Sequence, residues 1–294
     1  MNATPDQRIE KLPCWQGAVT IEPLSGGMTN LNFKVSDGGE QYVVRLGEDD
    51  PTHLISRANE IDSCRAAQAI GVSPELIYHE PGVLVVRFVE GKVFEEADVR
   101  VDANLERIVD LLKDFHHGMP AKFEGIPVMF WVFQVLRHYH NLIAQGDSAH
   151  HGKLDELARV AAELEMAVGP VEIVFGHNDL LPANFIDDGE RIWLIDFDYA
   201  GFNSPLFDLS NLASNNELDA EQETSMLSRY FGVAPNQSLL ASYHAMKCAS
   251  LLRETMWSMV SELNSRVEMD FADYTAKNLE RFEATYAEYR SQYR

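Results

Sequence analysis

One stretch, "GHNDLLPANFIDDGERIWLIDFDYAG" from Gly176 to Gly201, carries carboxylates and amides at spacings suited to moving a phosphoryl group. Asp179 follows His177 and Asn178 in an expected turn. Asn184 comes five positions later, at the expected start of a strand, and Asp196 closes the next apolar run, "IWLI". Desolvating a carboxylate at the edge of a buried strand is costly unless the charge is paired or holds a metal. A hairpin of this length brings Asn184 near Asp196 and presents Asp179 from the turn before. One carboxylate is then placed to accept a hydroxyl proton. An amide and a second carboxylate are placed to ligate Mg²⁺, which needs few protein oxygens because water and phosphate complete its shell.

Two further groups belong to the same chemistry. "SGGMTN", Ser25, Gly26, Gly27, Met28, Thr29 and Asn30, joins the first two expected strands. Its adjacent glycines allow backbone N–H groups to approach an anion, with Ser25, Thr29 and Asn30 as extra donors. No Gly-Lys-Ser/Thr or GxGxxG is present, and alone the segment reads as a plain hairpin turn. Arg45 on the third strand and Glu60 on the following helix form a cation–carboxylate pair able to hold nucleotide phosphates, or, taken alone, an ordinary surface salt bridge. The order Asp, Asn, Asp has the shape of a protein-kinase catalytic loop and its metal-binding Asp, which two capping acids and a turn amide would not require.

The elements that must position these residues are legible in outline. "AVTIEPL", "LNFKV" and "QYVVRL" are short runs bounded by turn residues, with "DGGE" as a hairpin turn between the last two. The spacing predicts a helix over Ser56 to Ile70 ended by Gly71, then strands in "PELIYHE" and "GVLVVRFVE". Beyond "VEGKVF" the chain becomes helical: "LERIVDLLKDFHHGM", "MFWVFQVLRHYHNLIAQ", "LDELARVAAELEMAV" and everything from "SLLASYHAMKCASLLRETMWSMVSEL" onward are amphipathic or apolar at helical spacing. The expected fold is α+β and bilobal, a β-rich N-lobe over residues 1–88 and a mainly helical C-lobe over 89–294, joined near Phe88 to Gly91, with a ligand cleft between.

Composition sets outer bounds. The 294 residues hold 24 Lys plus Arg against 46 Asp plus Glu, a formal charge of −22. Such a chain repels nucleic acid and anionic membranes and attracts small cations, although surplus acid also serves solubility alone. Three cysteines, Cys14, Cys64 and Cys248, are odd in number and scattered, as expected of free thiols in a reducing compartment. With no apolar stretch of signal-peptide or membrane-span length, the expectation is a cytoplasmic protein. The histidines at 116–117, 138, 140 and 150–151 lack zinc-site spacing and read as helix-surface or helix-end residues. Asp187 and Asp188 read as a solvated turn.

"VFGHNDLLPANF" with "LIDFDYAGFNSPLFDLSN" resembles the choline/ethanolamine kinase family, within the wider aminoglycoside phosphotransferase-like group, and the likeness extends over most of the chain. "LSGGMTNLNFKV" is similar to the family's phosphate loop, "YVVRLG" to its third strand, and "ANEIDSCRAAQAIGVSPELIYH" to the helix and strand that follow. The resemblance implies ATP as donor, Mg²⁺ as metal, and choline or ethanolamine as acceptor. It implies Asp179 as the base on the acceptor hydroxyl, supported by His177, and Asn184 and Asp196 as Mg²⁺ ligands. Arg45 with Glu60, and the backbone of residues 26–29, would contact the phosphates. Backbone groups from Phe88 to Glu90 would hold adenine. Tyr199, Trp257, Phe271 and Tyr274 fall where the family places aromatics that bind a quaternary ammonium by cation–π attraction.

The chain departs from the family at three acceptor-side positions. Asn215, with Glu217 close by, stands where the family often carries Glu. Glu254 replaces a second family Trp, and Leu181 replaces a frequent Gln. The cage is thus less aromatic, and the choice between choline and ethanolamine stays open, because a primary ammonium prefers carboxylate partners over a purely aromatic cage. The alternatives are a kinase of the same fold acting on an aminoglycoside, homoserine, thiamine or sugar, and, in another class, a non-catalytic module holding a nucleotide or cation. Retention of Asp179, Asn184 and Asp196 speaks against the latter. The terminal "RFEATYAEYRSQYR" reads as a packing helix that could also serve a homodimer.

Overall fold

A computed structural model describes residues 4–24, 30–265 and 269–293. The N-lobe is a five-stranded antiparallel sheet ordered β1-β2-β3-β5-β4, with β1 Thr20–Leu24, β2 Leu31–Asp37, β3 Glu40–Leu46, β4 Leu76–Glu80 and β5 Val83–Arg87. The β2–β3 turn is the expected hairpin, and Gly38 and Gly39 take φ of +59° and +94°, which residues with a Cβ rarely adopt. Period-two alternation decides what each strand does. Phe33 and Val35 on β2, with Tyr42, Val44 and Leu46 on β3, enter a core closed by Ile9 of the first helix, α1 (Pro5–Ile9). The intervening Val43 and Arg45, with Leu84 and Val86 of β5, therefore face the inter-lobe cavity. Helix α2 (Arg57–Ala69) follows β3 and crosses this side of the sheet.

The C-lobe is helical. Its elements are β6 Lys92–Val93, α3 Glu96–Val99, α4 Asp102–Gly118, α5 Val132–Gln145, α6 Leu154–Val168, β7 Val174–Gly176, β8 Phe185–Asp187, β9 Ile192–Leu194, β10 Gly201–Asn203, α7 Pro205–Asn215, α8 Ala220–Phe231, α9 Gln237–Asn264 and α10 Phe271–Tyr293. Helix α9 is its axis. From Cys248 to Ser261 nearly every residue is buried, because the sequence there is apolar or small apart from Arg253 and Glu254, and α5, α6, α7 and α10 pack around it. The expected helix over "MFWVFQVL" starts later, at Val132. Met129 instead bridges Phe202, and Phe130 N donates to Phe202 O at 2.9 Å, so this segment is held extended beside β10.

Two small antiparallel pairings carry the site: β7 with β10, and the three-stranded β6-β8-β9. The β8–β9 hairpin turns on Asp188, whose carboxylate accepts from Glu190 N, Arg191 N and Trp193 Nε1, a turn-capping arrangement typical of Asp. Asp187 is not merely solvated: Arg107 grips it with two nitrogens at 2.6 and 3.0 Å. The chain between the lobes passes close to this hairpin at Gly91, where a Cβ would meet Asp187 O at 2.6 Å. Among the described residues no helix is long and apolar enough to cross a membrane.

Candidate active site

The turn from His177 to Asp179 leaves β7 and is fixed almost entirely by buried polar groups. The Asp208 carboxylate on α7 accepts from His177 N and Asn178 N, each at 2.7 Å, and also bonds His116 Nε2 at 2.8 Å. Asn178 adopts φ +67°, a region Asn tolerates better than most residues, and its side chain donates to Tyr199 O and Gly201 O. Leu180 N donates to Asn211 Oδ1 at 2.6 Å. His177 is fully buried, which pushes its pKa down, and its Nε2 bonds Ile195 O at 3.0 Å. The histidine thus ties the turn to the segment leading to Asp196.

Asn184 and Asp196 are brought together as expected, though not by strand ends. Asn184 closes a 3₁₀ turn, Pro182–Asn184, for which Pro182 presets φ, and Asp196 lies beyond β9 in the left-handed region at φ +69°. A non-glycine residue there is strained, and such strain concentrates at functional positions. Asn184 O accepts from Ile195 N at 3.1 Å, which joins the two loops. Asn184 Nδ2 donates to Asp179 O at 2.8 Å, so its amide oxygen is the atom that remains for a cation.

Arg45 Nη1 stands 2.8 Å from Glu60 Oε1, 2.8 Å from Asp196 Oδ1 and 3.0 Å from Asp198 Oδ1. Arg57 repeats the pattern, with Nη1 at 2.6 Å from Glu60 Oε2 and 2.7 Å from Asp198 Oδ1. The Arg45–Glu60 pair is therefore buried, not a surface bridge, and Glu60 is only 1% exposed. Burial alone would raise the Asp196 carboxyl, but the adjoining Arg45 guanidinium holds it below its usual range. For Glu60 burial wins, and its pKa is raised despite both arginines. Arg57 and Asp198 are functional candidates that sequence reasoning passed over. The signals were present: Arg57 is three positions before Glu60 on one helix face, and Asp198 two positions after Asp196.

These groups border a cavity of about 400 Å³ between the lobes, lined by Arg45, Glu60, Asn184 and Asp196 at one side and by apolar Val43, Leu84, Val86 and Ile186 elsewhere. Phe88 reaches the cavity, but its N–H already donates to Gln41 O at 3.0 Å, extending the sheet ladder; Val89 and Gly91 line the cavity and Glu90 does not. Asn30 directs its Nδ2 to Asp198 at 2.9 Å. The loop Ser25, Gly26, Gly27, Met28 and Thr29 lies outside the described residues.

On the other side of Asp179, Tyr199, Trp257, Phe271 and Tyr274 do converge. Trp257 Nε1 donates to Tyr199 OH at 3.0 Å, and its ring centroid lies 6.1 and 6.4 Å from those of Phe271 and Tyr274. Tyr274 OH donates to Glu254 Oε1 at 2.7 Å. The element missed here is Arg253. Only 2% exposed, it places Nη1 3.0 Å from Glu254 Oε2 and 3.5 Å from Asp179 Oδ1, and stacks on the Tyr199 ring at 4.5 Å. A lone arginine inside the apolar run "CASLLRETMWSMV" was its signal. Asp179 is 20% exposed, and desolvation, opposed by Arg253 and reinforced by Glu254, pushes its pKa up to about 7. Asn215 lies nearby, its Nδ2 3.5 Å from Leu180 O. Glu217 is not brought to the site: 67% exposed at the end of α7, it faces Arg100 at 3.5 Å. Of the histidines expected at helix surfaces or ends, His116 is instead buried, because its two ring nitrogens bond Asp208 and Tyr230 in the interior, while His138 at Thr52 O and His150 at Glu262 have partners away from the site.

The family model described as choline/ethanolamine kinase matches residues 21–235. The chain belongs to the choline/ethanolamine kinase family. A probable ethanolamine kinase of Arabidopsis thaliana is 27% identical over 309 residues, covering 93% of this chain and 79% of the relative. A choline/ethanolamine kinase family protein from Mesorhizobium loti superposes with a TM-score of 0.78 at 27% identity, over 95% of this chain and 92% of its own. The choline kinase LicA from Streptococcus pneumoniae has a TM-score of 0.75 at 22% identity, over 92% and 94% of the two chains, a likeness of fold. LicA solved in complex with AMP shares that fold at 0.71 and 24%, over 92% and 93%. Membership makes this chain a kinase.

Proposed function

We propose that this chain transfers the γ-phosphoryl group of ATP to the hydroxyl of a small cationic amino alcohol, choline or ethanolamine, with Mg²⁺. The observation that carries the reading is the convergence of Asp179, Asn184, Asp196 and Arg45: a base candidate, two oxygen ligands and a buried cation meet between a nucleotide-sized cavity and an acidic, aromatic recess.

In this reading Asp179 orients the acceptor hydroxyl and takes its proton as the oxygen bonds to the γ-phosphorus and the bond to the β-phosphate oxygen breaks, releasing ADP. The Asn184 amide oxygen and the Asp196 carboxylate fit a hard cation that prefers oxygen donors and keeps other positions for phosphate and water. Mg²⁺ bound there would neutralise charge on the β- and γ-phosphates. Arg45, held by Glu60, and Arg57 behind it supply fixed positive charge beside the same phosphates, with no reorganisation needed at the moment of transfer. Val89 and Gly91 offer backbone groups to the adenine in an otherwise apolar pocket. The relative seen with AMP supports a nucleotide there. Cys14, Cys64 and Cys248 are unpaired thiols, which suits a cytoplasmic enzyme.

The test is ADP release by purified protein with ATP and Mg²⁺, across choline, ethanolamine, aminoglycosides and sugars. Release dependent on choline or ethanolamine, and lost in Asp179→Ala, is the expected result. Release dependent only on a sugar or aminoglycoside, or on no acceptor, would overturn the assignment.

A further inference from the structure

The acceptor recess already contains a cation of its own. The Arg253 guanidinium lies over the Tyr199 ring at 4.5 Å and near Phe130 at 5.8 Å, so the Tyr199 face is occupied by protein. Tyr199, Trp257 and Phe271 are all buried, and Trp257 is further packed by His53 at 5.0 Å between centroids. Tyr274 meets Trp257 edge-on, at an interplanar angle of 85°. A quaternary ammonium has no N–H and depends on open aromatic faces. The half-buried groups in the recess are the two carboxylates, Glu254 at 18% and Asp179 at 20% exposure, and Tyr274, whose hydroxyl is spent on Glu254.

We infer that Glu254, braced by Arg253 and Tyr274, is the specificity-determining residue of the acceptor recess and selects an acceptor whose ammonium donates hydrogen bonds over one that is fully methylated. The inference rests on the functional reading above and narrows its substrate class. One guanidinium nitrogen bridges Glu254 and Asp179, at 3.0 and 3.5 Å, so the two carboxylates stand close enough to receive the two ends of a short amino alcohol: hydroxyl at Asp179, ammonium at Glu254. With Asp179 ionised, as a base must be, two anions and one cation leave the recess with a single negative charge, matching a monocation. An ammonium with N–H groups gains a charge-assisted hydrogen bond to Glu254, and each N-methyl removes a donor and adds volume. Arg253, covering Tyr199, denies the methylated cation its compensating face.

The experiment is kcat/KM for ethanolamine, N-methylethanolamine, N,N-dimethylethanolamine and choline, in wild type and Glu254→Gln. Wild type should fall along the series, by about tenfold or more from first to last, the loss of one hydrogen bond to a charged group. Glu254→Gln should lower kcat/KM for ethanolamine through KM by about tenfold or more, lower that for choline by less, and so flatten the series. Choline turned over as well as ethanolamine by wild type, or a ranking unchanged in Glu254→Gln, would overturn the inference while leaving the kinase reading intact. If Gln at 254 prevents folding, the wild-type series decides alone. Phosphorylation of no member overturns this inference and the functional reading together, a result distinguishable from mere reversal of the ranking.

Discussion

Asp179 shows most sharply how placement turns a common residue into a reactive one. Its carboxyl is raised from 3.8 to about 7 because burial penalises the ionised form; Arg253 opposes this, and Glu254, Asp196 and Asp198 add to it. The base of the proposed transfer must be ionised, so kcat/KM is expected to climb with pH to a plateau above about pH 7, and a pH–rate profile checks it. The same shift has a sign for stability. The ligand-free folded state holds a proton that the unfolded chain has released, so this group's contribution weakens as pH rises from 3.8 to about 7. Asp179→Asn is neutral at every pH. It should lose about 10²- to 10⁴-fold in turnover, yet melt above wild type at pH 8, with a smaller gain at pH 5. Melting curves at both pH values read this directly. A variant that melts lower at pH 8 would mean that the Arg253 contact outweighs the desolvation cost.

Elements matter here through how they clamp turns. Asp208 on α7 receives two backbone N–H groups of the His177–Asp179 turn and a ring nitrogen of His116, all in the interior. Replacing it with Ala strands buried donors, so Asp208→Ala should cost about 3–5 kcal/mol of stability and lower turnover, measured by denaturant unfolding and initial rates. Much of this level was legible in the sequence. The period-two strands of the N-lobe, the Gly38–Gly39 hairpin and the helix over Arg57–Ala69 follow from local pattern, because each buries one face at a fixed period. The extended course of Met129 and Phe130 was not legible. Their apolar character suits a helix equally well, and only pairing with Phe202 decides the matter.

At the scale of the molecule, the charge of −22 and the cavity between two lobes make two measurable demands. The cationic acceptor of the proposed function should be drawn in by the field, so its kcat/KM should fall as ionic strength rises, measured by initial rates across a salt series. A nucleotide bridging the lobes should stabilise the whole: at about 100 times its Kd, ATP with Mg²⁺ should add about 2.7 kcal/mol, seen as a higher melting temperature. The N-lobe strands, the helix after them, the long C-lobe helices and the residue types at 179, 184 and 196 follow from periodicity and spacing, which are local properties of a chain. Packing in three dimensions is what makes Arg57 and Asp198 close the Arg45 network, turns Glu217 outward to Arg100, and sets Arg253 on the face of Tyr199. Those outcomes join residues more than 50 positions apart in the chain. Desolvation and packing set them once the lobes have closed.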